Sequence, residues 1–140
     1  MSDKQESVVR EFLAAWGGGK RQFPDKERIL SLMTDDAEWT LWVGGDTVAR
    51  GRDEISAEID REAPMMEFLD CGIRTIASAG NTVFTERTDR FVCMGNAVVF
   101  DLVAVFELNE HHQITAWREY FDSAAVARSM GIEQDQMTSQ

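Results

Sequence analysis

The amino-acid sequence predicts an α+β fold: three N-terminal helices packed on a curved mixed, mostly antiparallel sheet, forming a cone with an internal pocket. Three observations support this prediction. Apolar residues at helical spacing are concentrated in the first half of the chain, and strand-like alternation dominates the second half. Short polar turns join the later strands, as in an antiparallel meander. Helices followed by a run of strands are typical of α+β domains.

The three helices are predicted from apolar spacing and from residues suited to helix ends. The first ends at the three glycines 17–19, and Asp25 is placed to cap a short second helix. Asp53 is predicted to cap a third helix that ends at about Arg61, before a proline. The apolar residues at helical spacing in the first helix are Val8, Val9, Phe12, Leu13 and Trp16.

Five strands are predicted from alternation of apolar and polar residues. The first has Trp39 and Leu41 on one face, and glycine-containing or asparagine-containing turns separate the later ones. The approximate limits of the five strands are 37–43, 70–78, 81–93, 97–109 and 113–122.

Length and composition indicate one domain over residues 1–140 with a flexible tail at 131–140. The net charge of −11 argues against nucleic acid and anionic membranes as partners. The polar N-terminus lacks the apolar segment of a signal peptide, so a cytoplasmic location is expected. The two cysteines, Cys71 and Cys93, form no CxxC pair. We therefore expect free thiols, no metal site and no cofactor.

A pair of charged residues lies on a predicted apolar strand face. Counting by twos from Val83 places Arg87 and Asp89 on the same face as Phe91 and Cys93. A charge directed into an apolar layer costs several kcal/mol unless it is paired or hydrogen-bonded. Such residues are candidates for a functional site, because catalytic groups are often found in these surroundings.

The last predicted strand carries a second carboxylate in a similar setting. Glu119 shares a strand face with Trp117 and Phe121, so an acid lies between two large aromatic residues. If the two strands face the same pocket, Asp89, Arg87 and Glu119 would form one acid–base set.

The chain resembles the limonene-epoxide-hydrolase branch of the nuclear-transport-factor-two-like superfamily over about residues 5–130. The segments that carry the resemblance are 85–89 (TERTD), 102–108 (LVAVFEL), 114–122 (ITAWREYFD) and 51–53 (GRD). The resemblance implies a cone-shaped α+β fold and one-step opening of an epoxide, without a covalent intermediate and without a cofactor.

The resemblance also implies roles for individual residues. Arg87 and Asp89 match the arginine and the acid-donating aspartate, and Glu119 matches the aspartate that deprotonates water. The family's water-holding tyrosine and asparagine align with Trp39 and Leu41. Neither side chain accepts a hydrogen bond, because an indole only donates and leucine is apolar.

A small apolar substrate is expected as the partner, held by residues predicted to line the pocket. The methionines among them suit an adaptable apolar wall. The predicted pocket residues are Trp39, Leu41, Met65, Met66, Phe68, Phe91, Phe100, Leu102, Trp117 and Phe121.

Several alternatives remain open at the level of sequence. Arg87 and Asp89 could be a structural ion pair, and Glu119 could pair with Arg118 or Arg90. The chemistry could be that of a cofactor-independent lyase, dehydratase or isomerase on an aromatic or terpenoid substrate. The chain could also be a non-catalytic module that binds an apolar ligand.

A homodimer through the sheet is also predicted. Asp101, Val103, Val105 and Glu107 alternate with the pocket-facing residues of their strand, and the segment 98–103 is largely apolar on both faces. An apolar sheet face usually meets a partner, and twofold dimers are the most frequent solution.

Overall fold

The structure, a computed structural model, describes residues 2–19, 24–45, 47–133 and 137. Most of the tail predicted to be flexible lies outside these residues. The elements are α1 (Ser2–Trp16), α2 (Lys26–Ser31), β1 (Met33–Thr40), β2 (Val48–Arg50), α3 (Gly51–Glu62), a 3-10 turn (Ala63–Met65), β3 (Glu67–Ala79), β4 (Thr82–Cys93), β5 (Asn96–Leu108), β6 (Ile114–Tyr120) and α4 (Ser123–Met130).

The six strands form one mixed sheet in the order β2-β1-β6-β5-β4-β3. β1 runs parallel to β6, and every other neighbouring pair is antiparallel. The predicted α+β class with a mixed, mostly antiparallel sheet is confirmed.

The predicted set of three N-terminal helices is wrong, because the described residues contain a fourth α-helix, α4, near the C-terminus. Asp122 caps α4 by accepting a hydrogen bond from the backbone N–H of Ala125 at 3.0 Å. Gly131 ends the helix in the left-handed conformation, with φ of 80°. The sequence contains both signals, the capping Asp122 and the terminating Gly131, but only eight residues lie between them. Apolar periodicity is hard to recognise over so short a segment.

Two other differences concern the ends of elements. α3 begins at Gly51, and the side chain of Arg50, at the N-cap position, makes no capping hydrogen bond. Instead, Glu54 accepts a hydrogen bond from the backbone N–H of Arg50 at 2.8 Å. Asp53 therefore lies inside the first turn and is not the cap that was predicted. β2, with three residues, was not predicted, because it is too short to show alternation.

The helices cover the inner face of the sheet, where β4 alternates as predicted. Phe12 of α1 contacts Trp117 of β6 edge to face, with ring centroids 5.0 Å apart. α1 ends at Trp16, as predicted from the glycines that follow. Gly17 is required there, because a Cβ atom at this position would lie 2.4 Å from the carbonyl oxygen of Leu69. The close approach holds the end of α1 against β3.

Within the part of the chain that the structure describes, none of the helices has the length and apolar character needed to cross a membrane.

Candidate active site

Arg87 and Asp89 lie two residues apart on β4 and therefore on the same, inner face of the sheet. Both are buried, with exposed fractions of 1% and 5%. Arg87 donates from Nε to Asp89 Oδ1 at 3.1 Å and from Nη2 to Asp89 Oδ2 at 2.9 Å. The guanidinium and carboxylate thus form a two-point pair whose geometry is set by a single strand.

Glu119 reaches the same guanidinium from β6, across the intervening strand β5. Arg87 Nη2 donates to Glu119 Oε2 at 2.8 Å. The residue of β5 opposite Glu119 is Ala104, which is fully buried. Because alanine is small, it leaves room on the inner face for the two long side chains to meet. The structure thus brings together the three residues predicted as an acid–base set.

The alternative partners considered for Glu119 lie elsewhere. Arg118 points to the outer face, where it forms an ion pair with Glu107. Arg90 is exposed on the opposite face of β4 from Arg87 and Asp89. Glu119 is therefore held by Arg87 rather than by a surface arginine.

The surroundings shift the proton affinities of this set. Burial raises the pKa of Glu119, and the charge of Asp89 adds to that effect. Arg87 and the Trp117 indole act in the opposite direction, but the net pKa of Glu119 is raised. Burial alone would lower the pKa of Arg87, yet the charges of Glu119 and Asp89 outweigh it and raise that pKa. The guanidinium therefore stays charged, while Glu119 becomes a stronger base than an ordinary glutamate.

A cavity opens beside these three residues, and its wall is mainly aromatic and aliphatic. Eight of the ten predicted pocket residues line it. The lining consists of Leu13, Trp16, Trp39, Leu41, Trp42, Glu62, Met65, Met66, Leu69, Cys71, Arg87, Asp89, Phe91, Phe100, Trp117, Glu119, Phe121, Val126, Met130 and Met137.

Two predicted pocket residues, Phe68 and Leu102, lie outside this lining. Phe68 is 40% exposed and has a positive φ of 57°. The strand pairing is irregular between Glu67 and Asp70, and this irregularity brings Leu69 to the cavity instead. Leu102 is the β5 residue paired with Arg87. Its side chain is buried and does not line the cavity.

Sequence analysis missed several lining residues, and two of them are ionisable. Cys71 lies opposite Asp89 on β3. Burial, and then the charge of Asp89, raises the pKa of its thiol well above the usual range. The other is Glu62, the last residue of α3, whose side chain is only 16% exposed. Its i−4 neighbour Glu58 is also acidic, an unfavourable pair on a helix. The unfavourable spacing of Glu58 and Glu62 could have marked Glu62 in the sequence as a candidate site residue.

Glu62 is held among charged neighbours at the end of α3. Arg61 binds Glu58 through Nε at 3.1 and 3.2 Å and through Nη2 at 2.5 Å, and its Nη2 lies 3.9 Å from Glu62 Oε2. Burial is the largest of the causes that raise the pKa of Glu62 well above its ordinary value. A side-chain hydrogen bond to Glu58 and the charge of Glu58 also raise it. Arg61 lowers this pKa, and the charge of Glu119 raises it further. Glu62 is therefore a carboxyl group with a raised pKa that lines the same cavity as Glu119.

Among the described residues, no three His, Cys, Asp or Glu side chains are grouped so as to hold a metal ion. Two of the ionisable residues at the cavity, Asp89 and Glu119, are instead hydrogen-bonded to Arg87.

Comparisons with known proteins agree with the fold and the resemblance. An LEH-like epoxide hydrolase from M. tuberculosis superposes with a TM-score of 0.74 at 26% identity, covering 92% of this chain and 90% of that one. A hypothetical protein with a ketosteroid isomerase-like fold from Catenulispora acidiphila, in complex with trimethylamine, superposes with a TM-score of 0.75 at 20% identity. That second match covers 91% of this chain and 95% of the other, and it bears on the fold alone. A search of curated proteins found no match.

The family model described as the limonene-1,2-epoxide hydrolase catalytic domain matches residues 4–130. The match spans α1 to α4 and includes the three residues joined through Arg87. The chain therefore belongs to the limonene-1,2-epoxide hydrolase catalytic domain family.

Proposed function

We propose that this protein is an epoxide hydrolase that adds water to a small apolar epoxide in one step. In this proposal Asp89 is the general acid, Glu119 is the general base, and Arg87 joins them. The observation that carries it is the pair of hydrogen bonds from Arg87 Nη2, at 2.9 Å to Asp89 and 2.8 Å to Glu119, at the wall of an apolar cavity.

The arrangement suits a reaction in which two protons move at once. Asp89 gives its proton to the epoxide oxygen as the carbon–oxygen bond breaks. Glu119 takes a proton from water as the water oxygen bonds to the same carbon. The pair then holds one proton and one negative charge, as it did before, and transfer of that proton from Glu119 to Asp89 restores the starting state. Arg87 balances the charge of the pair throughout, because a guanidinium keeps its proton.

The surroundings of Glu119 favour its use as the base. Proton transfer is most efficient when the pKa of the catalytic group lies close to the working pH. Burial raises the pKa of Glu119 toward that range. In the reactive form of this proposal the proton is on Asp89, and Glu119 is ionised.

The cavity wall supports an apolar substrate. Its aromatic residues offer large rigid surfaces, and Met65, Met66 and Met130 add flexible apolar side chains. An uncharged epoxide with a hydrocarbon body matches this wall and leaves its single oxygen to interact with Asp89.

A second candidate is isomerisation or elimination, which needs no attacking water. Trp39 and Leu41 line the cavity and provide no side-chain acceptor for one. An isomerase that uses a tyrosine donor is disfavoured, because Tyr120, the one tyrosine of the chain, is 43% exposed. A non-catalytic binding module is the third candidate.

The test is turnover of a panel of cyclic and aromatic epoxides in ¹⁸O-labelled water under single-turnover conditions. One-step hydrolysis gives a diol that carries one labelled oxygen in the first turnover. A carbonyl or allylic alcohol without gain of water would instead identify an isomerase. Binding of the epoxides without any product would favour the binding module and overturn the proposal.

A further inference from the structure

We propose that Glu62 is a positioning residue that holds the attacking water against Glu119. This inference rests on the proposed epoxide hydrolysis and adds a fourth residue to it. It follows from the side-chain acceptors at the cavity, from the place of Glu62 at the end of α3, and from its contact with Arg61.

A water molecule that attacks carbon must be oriented by its two hydrogens. If one hydrogen is donated to the base, the other needs a second acceptor, and the oxygen lone pair then points to the substrate. Among the side chains of the described lining, carboxyl oxygens occur only on Glu62, Asp89 and Glu119. Tryptophan and arginine side chains donate but do not accept, and the thiol of Cys71 is a weak acceptor. With Asp89 as acid and Glu119 as base, Glu62 is the remaining carboxyl.

Glu62 approaches the cavity from a different element than the other two acids. Glu119 comes from β6, whereas Glu62 is the last residue of α3. Both residues line the same cavity, and the side chain of Glu62 is only 16% exposed. A water between them would be held from two sides, with its position fixed by a strand and by a helix.

The contacts of Glu62 also decide which of its atoms can face that water. Arg61 donates three hydrogen bonds to Glu58, and its Nη2 also lies 3.9 Å from Glu62 Oε2. Oε2 of Glu62 thereby faces Arg61, and the other carboxyl oxygen of Glu62 is left as the acceptor for the water. Glu58 and Arg61 thus fix the orientation of Glu62.

The experiment compares Glu62→Gln, Glu62→Met and Glu62→Leu with the wild type. Glutamine keeps a carbonyl acceptor, whereas methionine and leucine have no oxygen. Loss of the acceptor should lower kcat by about 10²-fold, the size expected from misplacing a reactant, with KM changed less than about threefold. Glu62→Gln should restore most of that loss. Glu110→Leu removes a glutamate whose side chain is 85% exposed and serves as the control.

A second measurement separates positioning from stability. The carbon that receives ¹⁸O from labelled water reports where the water is held, so Glu62→Met should change the ratio of the two labelled diols. A variant that only loosened the fold would lower the amount of active enzyme and leave this ratio unchanged.

The inference is overturned if Glu62→Met or Glu62→Leu folds and keeps kcat within about threefold of the wild type. It is also overturned if Glu62→Gln loses as much activity as the apolar variants, since the acceptor would then not be the relevant property. If wild-type protein hydrolyses no epoxide, the proposed function itself fails. If the wild type is active and the Glu62 variants are unaffected, only the role of Glu62 fails.

Discussion

Trp39 of β1 stacks on Trp117 of β6, with ring centroids 4.6 Å apart and planes that differ by 9°. The two residues are direct partners in the parallel pairing of β1 with β6. Trp117 lies two residues before Glu119 and on the same face, so the stack supports the strand segment from which Glu119 projects. The aromatic wall and the candidate base are therefore parts of one packed unit.

Removing either carboxylate should abolish most activity. Asp89→Asn cannot protonate the epoxide oxygen, and Glu119→Gln cannot take a proton from water. Each should lower kcat by at least about 10²-fold, the low end for loss of an acid–base partner. Steady-state kinetics on the best epoxide gives the comparison. The control is Asp101→Asn, on the outer face with a 68% exposed side chain. Turnover at the wild-type rate in both carboxylate variants would make the charges structural.

Arg87→Lys should fail although it preserves the charge. Arg87 donates two hydrogen bonds to Asp89 and one to Glu119, and an ammonium cannot reproduce this planar fork. We expect a fall in kcat of about 10²-fold or more, with a lower denaturation midpoint because both carboxylates lose a buried partner. Arg74→Lys, on the outer face, should keep activity. Full activity of Arg87→Lys would show that a point charge is sufficient.

The pH dependence of kcat/KM should have an acidic limb set by Glu119. As the base, Glu119 must be ionised, and because burial raises its pKa, activity should be lost at a higher pH than for an ordinary glutamate. As the general acid, Asp89 must carry a proton, so activity should fall again at high pH and the profile should be bell-shaped. A pH series on the wild type measures both limbs. An acidic limb at or below the ordinary glutamate value of about 4.3 would contradict the assignment.

Glu62→Gln should stabilise the protein at neutral and alkaline pH. The folded-state pKa of Glu62 is raised well above its ordinary value, so its contribution to stability is complete below the unfolded value of about 4.3 and is lost as the pH rises through the folded pKa. Glutamine stays neutral at every pH. Urea midpoints of the two proteins should therefore agree at the acidic end and diverge as the pH rises. Parallel curves would mean that Glu62 ionises normally in the fold.

The outer face of the sheet should mediate a homodimer. Val99, Val103 and Tyr120 are 53%, 44% and 43% exposed there, and neighbouring strands bring the last two side by side. Val103→Lys combined with Val99→Lys should give a monomer, because lysines meet their own copies across a twofold axis. Light scattering at micromolar concentration gives the mass, with Ala14→Lys on exposed α1 surface as the control. A monomeric wild type would refute the prediction.

Strand parity made part of the site predictable from sequence. The alternation of side chains on a strand has a period of two, so Arg87 and Asp89 had to share a face wherever β4 lay in the sheet. The same count placed Glu119 with Trp117. That both faces meet in one cavity depends on β5 lying between the two strands, and the short turns predicted this order.

Other features of the candidate site depend on where a strand or helix departs from its regular pattern, and the sequence did not predict them. At the start of β3 the pairing is irregular and Phe68 has a positive φ, so Leu69 rather than Phe68 reaches the cavity. Counting side chains by twos assumes a regular strand and therefore cannot predict this irregularity. Glu62 was missed because the third helix was predicted to end at about Arg61, whereas α3 extends to Glu62. One further residue of helix brings that carboxyl to the cavity.

The cavity is lined partly by strands and partly by helices and a turn, and this division has an evolutionary consequence. Arg87, Asp89 and Glu119 are carried by strands that hydrogen bonds tie to their neighbours, whereas Met65, Val126 and Met130 belong to a 3-10 turn and a terminal helix. Substitutions in the turn and helix can reshape the wall while the strand pairing is inherited unchanged. Variants of this chain can therefore differ in the shape of the cavity and keep the contacts of Arg87 with Asp89 and Glu119.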